Sequence, residues 1–401
     1  MSLNTRIKGA QALAEAFQAL NTITNLTTLA LQDSQIGDNG AHALGEALKT
    51  NSTLATLNLE HNSIGENGAQ ALAEALQTNS TLIGQDGAQV LGEALKTNST
   101  LATLNLRSNS IGDNGARALG EALKTNSTLP TLNLRSNSIW IKGLLALSDA
   151  FTPVLFKSLK TKSSLTTLNL GCKSIEDDEA EALYGALKTN SSLITLDLQS
   201  NSIDDNRNNS IGSNGAQALS EALKTNLTLT TLDLQNNSTG DNGAQALSDA
   251  LKINLTLTTL DLWHNSIEPK RTQALAEALK INVTLTTLYL QNNSIGDNGS
   301  LALSEALKIN LALSTLDLRG NSIGDNGAQA LAEAFKFNST LTTLDLQKNT
   351  IGDNGALALA EILEIKSTLT TLNLWHNLTG DNGTWVLDRV SQAVALRIGY
   401  F

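Results

Sequence analysis

The chain has 401 residues, with 27 Lys plus Arg against 38 Asp plus Glu, a net charge of −11, four His, three Pro, one Cys and 3% aromatics. One cysteine supports neither a disulfide framework nor a Cys-rich zinc site, and so few aromatics leave the core to Leu and Ala. The acidic balance disfavours nucleic acid, whose phosphates need a basic stripe, and favours a basic protein partner; no stretch approaches the ~20 apolar residues of a membrane span.

In chain order, residues 1–17 lack the continuous apolar core of a secretory signal, so the expectation is a cytoplasmic protein. Lys8 to Leu20 reads as a bare helix with no strand before it and no dedicated cap, as the tail of a longer ancestor would. From Leu26 onward the pattern LxxLxLxxNxI recurs with a helical segment after each copy, opening at Leu26, Leu54, Leu82, Leu101, Leu129, Leu165, Leu193, Leu229, Leu257, Leu285, Leu313, Leu341 and Leu369. The period is 28, except for one step of 19 and two of 36. In the unit Leu54 to Thr81, Leu57 and Leu59 alternate with Thr56, Asn58 and Glu60, the signature of a short strand with one buried face. Leu72 and Leu76, with Ala69, Ala71 and Ala75, place an apolar helix face back toward that strand. Asp-Asn-Gly before most helices, as at Asp113 to Gly115, predicts an N-cap acceptor, Lys124 a charge suited to the helix C-terminus, and Asn126 a left-handed C-cap.

The short unit, 82–100, runs from one turn to the next helix without an LxLxxN strand, so two helices are expected to abut there. A recombination scar, a gene-model error and a tolerated deletion all fit. In the first long unit, 129–164, extra residues around Ala150 to Ser158 include Pro153 and predict a kink or two short helices. In the second, 193–228, Asn-Ser-Ile occurs at Asn201 to Ile203 and again at Asn209 to Ile211, which predicts a bulged loop. The last helix, Gly383 to Arg397, departs from the repeat and carries Trp385, Val386, Val390, Val394 and Leu396, as a cap over the core's open end would.

No single unit can bury its leucine face, so stability must come from stacking. The expectation is one α/β solenoid domain over residues 1–401, with a concave parallel sheet and helices on a longer convex arc, because strands stack about 4.8 Å apart while helices need roughly 10 Å. A column of asparagines, Asn62, Asn109, Asn137, Asn201, Asn237, Asn265, Asn293, Asn321, Asn349 and Asn377, is read as structural, turned inward to satisfy backbone groups; Ser34 and Lys173 break it.

The 28-residue LxxLxLxxNxIgdxGaxaLaeaLk unit, over nearly all of residues 9 to 397, resembles the ribonuclease-inhibitor-like class of leucine-rich repeats. Relatives by pattern are the repeat regions of NOD-like receptors, the ribonuclease inhibitors and the activators of the Ran GTPase. The resemblance implies an intracellular protein-binding horseshoe. The chain departs from NOD-like receptors in having no GxxxxGK[ST] loop, from ribonuclease inhibitors in its single Cys172, and from Ran GTPase activators in ending Arg397-Ile398-Gly399-Tyr400-Phe401 instead of in an acidic tail.

Outward strand positions lie two, four, six and seven residues after each opening leucine. The first column is Thr from Thr28 to Thr371, a uniform ladder. The second turns acidic in its later half, through Asp197, Asp233, Asp261, Asp317 and Asp345, interrupted by Tyr289; like charges this close repel, and a basic ligand would relieve them. A hydrogen-bonded ladder inherited by duplication explains the same column. The third and fourth columns vary most and contribute Glu60, Arg319, Trp263 and Trp375, the tryptophans being hot-spot candidates unless they lie flat on neighbouring side chains. His61, His264 and His376 share the fourth column, but His264 and His376 stand four repeats apart, about 19 Å, too far to share a metal ion. Cys172 has no histidine in adjacent strands and reads as an inert thiol. The sequons, as at Asn51-Ser52-Thr53 and Asn226-Leu227-Thr228, follow from duplication of one turn.

The reading is a non-enzymatic protein-binding module without metal or cofactor. Trp263, Tyr289 and Trp375 are its anchors, Asp233, Asp261, Asp317 and Asp345 its charge complement, and Arg319 and Glu60 further contact residues. The rivals are a regulator of a small GTPase, an inhibitor of a basic enzyme of the ribonuclease type, and a recently expanded array with no settled partner.

Overall fold

The leucine at the centre of each Thr-Leu-X tripeptide is buried while its neighbours, Asp317 excepted, keep one side open, so three residues suffice for a strand with one dry face. The computed structural model describes residues 2–4, 26–48, 53–65, 67, 101–112, 119, 128–137, 165–171, 177–200, 211–237, 239–365, 368–380 and 397–399. The chain forms two compact units, Met1–Ile175 with Ala182–Asn209, and Glu176–Glu181 with Ser210–Phe401.

The first unit holds strands β1 (Ser2–Asn4), β2 (Thr28–Ala30), β3 (Thr56–Asn58), β4 (Thr103–Asn105), β5 (Thr131–Asn133), β6 (Thr167–Asn169) and β7 (Thr195–Asp197), paired in parallel and in chain order. Helix α1 (Gly37–Leu48) follows β2, and α2 (Asp177–Leu187) follows β6, with residues 177–181 of α2 belonging to the second unit. The second unit holds β8 (Thr231–Asp233), β9 (Thr259–Asp261), β10 (Thr287–Tyr289), β11 (Thr315–Asp317), β12 (Thr343–Asp345), β13 (Thr371–Asn373) and β14 (Arg397–Gly399), again parallel and sequential. Its helices are α3 (Ser213–Leu223), α4 (Gly240–Leu251), α5 (Pro269–Leu279), α6 (Gly296–Leu307), α7 (Asp325–Phe335) and α8 (Asp353–Ile365). Strand and helix alternate as in a leucine-rich repeat solenoid, the expected fold class.

Register follows the repeat: Thr faces Thr and Leu faces Leu in each pair from β2 to β7 and from β8 to β13. The sheet passes directly from β3 to β4, Thr56 opposite Thr103, so the short unit adds no strand to the pairing. The abutting helices expected at 82–100, the Pro153 kink, the bulged loop at 201–210, and the Lys173 and Cys172 positions lie outside the described residues. So do the helix at 8–20 and all of the expected cap helix except Arg397.

Two expectations at the ends change. A strand, β1, does precede residues 8–20 and pairs with β2; and Arg397, expected as the last residue of a helix, begins β14 beside β13. Neither tripeptide carries the LxL pattern, because an outer strand needs only backbone N–H and C=O groups to cover its neighbour's edge.

In each regular coil the leucines of LxxLxL and the following isoleucine are buried, as are Ala244, Leu247, Ala250 and Leu251 from the apolar face of α4. Each such leucine contributes about 1.5–3 kcal/mol relative to exposure. Close approach between helices requires glycine at Gly243, where a Cβ would sit 2.7 Å from that of Ala216 in the preceding coil.

Asparagines clip the coils together at both ends of the strand segment. Asn62 donates through Nδ2 to the carbonyls of Leu31 and Glu60 and accepts at Oδ1 from the amides of Ser34 and Ile36, joining two coils with one side chain. Asn293, Asn321 and Asn349 repeat the arrangement, which is the structural role expected of this column. A second column stands after the helices. Asn254, Asn282, Asn310 and Asn338 donate to carbonyls of the preceding coil and accept from the amides two and three residues ahead. Asn126, expected as a left-handed C-cap, lies outside the described residues; the conformation expected of it is not adopted by these counterparts. None has positive φ; they are buried bridges, and the helices end on right-handed lysines. The sequon asparagines Asn226, Asn254 and Asn282 are thus sealed inside the fold.

The aspartate expected to cap its own helix instead serves the next one. Asp297 accepts from the amides of Gly324 and Gly327 at the start of α7, and Asp325 from Gly352 and Gly355 at the start of α8. Asp38 and Asp353 reach Gly65 and Gly380 in the same way. The N-termini of α7 and α8 thus receive a carboxylate from the preceding coil in addition to Asp325 or Asp353 in their own first turns. Where Ser213 or Pro269 replaces the aspartate, the glycine one coil on, Gly240 or Gly296, turns left-handed at φ +56° or +57°.

Candidate functional site

The loop after each strand is built by the second outward column. Asn58, Asn105, Asn133, Asn169, Asp197, Asp233, Asp261, Asp317, Asp345 and Asn373 each accept, through Oδ1, from the backbone amide two residues ahead. Asn and Asp are equivalent for this bond, which is why the column drifts between them. Tyr289 is the non-Asx member of the second unit's row, standing between Asp261 and Asp317 in register. Three residues past each of these strands the backbone turns left-handed, at His61, Ser108, Ser136, Ser200, Asn236, His264, Asn292, Gly320, Lys348 and His376. The histidines therefore occupy a conformational column in which His, Asn and Gly are favoured.

Eight of the nine expected site residues, Asp233, Asp261, Trp263, Tyr289, Asp317, Arg319, Asp345 and Trp375, lie on β8 to β13 or just past them in the second unit. Glu60 belongs to the first unit, where it pairs with Arg107 at 3.1 Å and contacts His61 at 3.5 Å. Arg107 and Arg135 are residues that the sequence reading passed over. The Nε of each is covered and donates to nothing among the described residues. In the same unit burial pushes the Asp197 carboxyl above the usual carboxylate range, against the pull of the Gln199 amide, Arg135, Asn169 and Arg107.

In the second unit the row of carboxylates is partly neutralised from within. Asp317 is only 5% exposed, and Arg319 folds back over it, donating from Nε at 3.0 and 2.9 Å and from Nη2 at 2.6 Å. The same guanidinium stands 3.6 Å from Asp345. Arg319 is held above its ordinary value chiefly by the bond to Asp317. Burial raises the Asp345 carboxyl, the Asp317 charge adds to the rise, and the Gln347 amide, Asn373 and Arg319 oppose it. Gly320 makes room for this loop: a Cβ there would lie 2.1 Å from Asn292 Oδ1.

The aromatics separate. Trp375 is 41% exposed and stacked on His376, ring centroids 4.4 Å apart. Trp263 is half-buried, its Nε1 covered and without an acceptor among the described residues. Beside it Gln291 is buried with its Oε1 unpartnered among the described residues. The site thus offers one open aromatic, one recumbent aromatic and a row of carboxylates with an internal arginine.

Comparison with known proteins agrees with this architecture. The Leucine Rich repeat family model matches seven segments, 22–45, 50–73, 97–120, 225–248, 282–304, 310–332 and 337–360. Among solved structures the chain is similar to that of the Rad7 and Elc1 complex in yeast, at 15% identity and a TM-score of 0.53 over 94% of this chain and 86% of that one. It also matches the leiomodin-1 actin-binding site 2 structure, at 22% identity and a TM-score of 0.32 over 38% of this chain and 90% of that one. No curated protein matches it. Seven segments of the chain match the repeat model, and the fold is that of a leucine-rich repeat solenoid. Among the described residues no helix is long and apolar enough to cross a membrane.

Proposed function

We propose that the sheet face of the second unit binds a protein segment with a basic surface, without chemistry of its own. The observation that carries this reading is Trp375: an indole left 41% exposed at the end of a strand, held flat against His376 instead of buried in the core. Such a pre-ordered aromatic is the type of side chain that dominates binding energy, typically by more than about 2 kcal/mol. Asp233 and Asp261, adjacent in register, supply the negative charge, and Tyr289 stands between the acidic strands.

Affinity capture from native lysate with the wild-type chain and with a Trp375→Ala, Asp261→Asn double variant tests the reading. The expected result is a protein bound in low salt by the wild type, lost from the variant and weakened by raised salt. An identical captured set for both chains would count against it. Acceleration of GTP hydrolysis by a small GTPase would replace it with the regulatory alternative.

A further inference from the structure

The turns that join helix to strand in the second unit carry an apolar stripe that the core does not use. After each C-terminal lysine comes an exposed residue, then the buried asparagine, then a second exposed residue. These read Leu227 in the first turn, then Ile253 and Leu255, Ile281 and Val283, Ile309 and Leu311, and Phe337. Exposure runs from 58% at Ile253 to 76% at Leu227. Equivalent positions elsewhere in the chain are Thr50 and Ser52, Thr78 and Ser80, Thr97 and Ser99, Thr125 and Ser127, Thr161 and Ser163, Thr189 and Ser191, and Ile365 and Ser367, polar in all but Ile365. The fold accepts polar residues there, so the aliphatic ones are not a requirement of the coil.

We propose that this stripe is the contact surface for a second copy of the chain. Eight side chains at these exposures present on the order of 800 Å², more than the few hundred a monomer usually shows and close to the ~800 Å² one partner gives a stable interface. The flanking charges suit a copy of the same surface. Lys224, Lys252, Lys280, Lys308 and Lys336 each pair with an acid three residues back, Glu221, Asp249, Glu277, Glu305 and Glu333. A border carrying both signs in equal number repels its own copy little, although each chain is net acidic, and under a two-fold axis every lysine can meet an acid. Fully apolar turns stand on either side of Ile281 and Val283, with half-apolar turns beyond them, at Leu227 on one side and at Phe337 and Ile365 on the other. An antiparallel two-fold through that turn sets Val283 beside its own copy.

Light scattering on the full chain from about 1 to 100 μM tests this, with Ile281→Asp plus Leu311→Asp as the stripe variant. Gln273→Asp plus Gln329→Asp, on exposed helix positions, adds the same charge elsewhere. The expected result is a mass twice the 42.3 kDa of one chain for the wild type and the control, and 42.3 kDa for the stripe variant. That corresponds to a dimer dissociation constant raised at least about 100-fold. Circular dichroism should show all three folded, since every substituted site is exposed. Val283→Cys should form an interchain disulfide under mild oxidation. A wild-type chain of single mass throughout, a stripe variant that keeps the doubled mass, or attachment of the single chain to neutral lipid vesicles through the stripe would overturn the proposal.

Discussion

Asp345 shows how one position can serve the fold and strain it at once. Its Oδ1 builds the loop by accepting from Gln347, yet burial raises its pKa, so the folded chain holds this proton more tightly than the unfolded chain does. The contribution to stability is therefore greatest below the ordinary value of 3.8 and is lost as pH rises through the raised folded value. Asparagine builds the same loop at Asn373 and carries no charge. Asp345→Asn should thus lose less stability than the wild type as pH rises from about 4 to 7, and at least match it at pH 7. Urea midpoints at the two pH values check this; a steeper decline in the variant would mean that attraction to Arg319 outweighs burial. The sequence showed an acidic column but not this dual role, since neither the bond to the amide two residues on nor the fold of Arg319 over Asp317 is written in the spacing.

At the scale of helix and strand, coils are held by side chains that reach across the repeat. Asp297→Ala removes the acceptor for two amides of α7 and should cost about 1–2 kcal/mol, with faster hydrogen exchange at Gly324 and Gly327 and little change at the start of α6. Equal acceleration at α6 would show that the aspartate serves its own helix after all. Asn293→Ala strips acceptors and donors from three segments and should be more severe, about 3 kcal/mol or more by thermal or urea unfolding, because it leaves buried backbone groups unpaired. Identical residues in every copy make the donor and acceptor types legible but hide which copy they serve. A bond within one coil and a bond to the next have the same sequence signature.

For the molecule as a whole, the leucine face of a coil closes only against its neighbours, with each strand three residues long and each helix about three turns. A peptide of one coil, residues 285–312, should be unfolded by circular dichroism at 25 °C, whereas the full chain gives the mixed signal of parallel strands and helices. Folding of the isolated coil would refute the stacking account. Copies that are nearly identical in the core differ at the surface, and those differences mark the two candidate interaction surfaces, the face bearing Trp375 and the stripe centred on Ile281 and Val283.

Periodicity alone determined the fold class, the strand and helix order, the buried leucines and the inward asparagines, because a repeated apolar spacing has one economical way to bury itself. Only the tertiary structure decided that Asp297 and Asp325 cap the following helices, that Asn254 and its counterparts are buried bridges, and that strands flank the patterned array at both ends. It also decided which variable residues stay open: Trp375 stands out while Trp263 lies down, Asp317 is shielded by Arg319, and the aliphatic turns at 253–255, 281–283 and 309–311 remain uncovered. Exposure depends on what the adjacent coil places alongside, and that relation joins residues about 28 positions apart instead of neighbours in the chain.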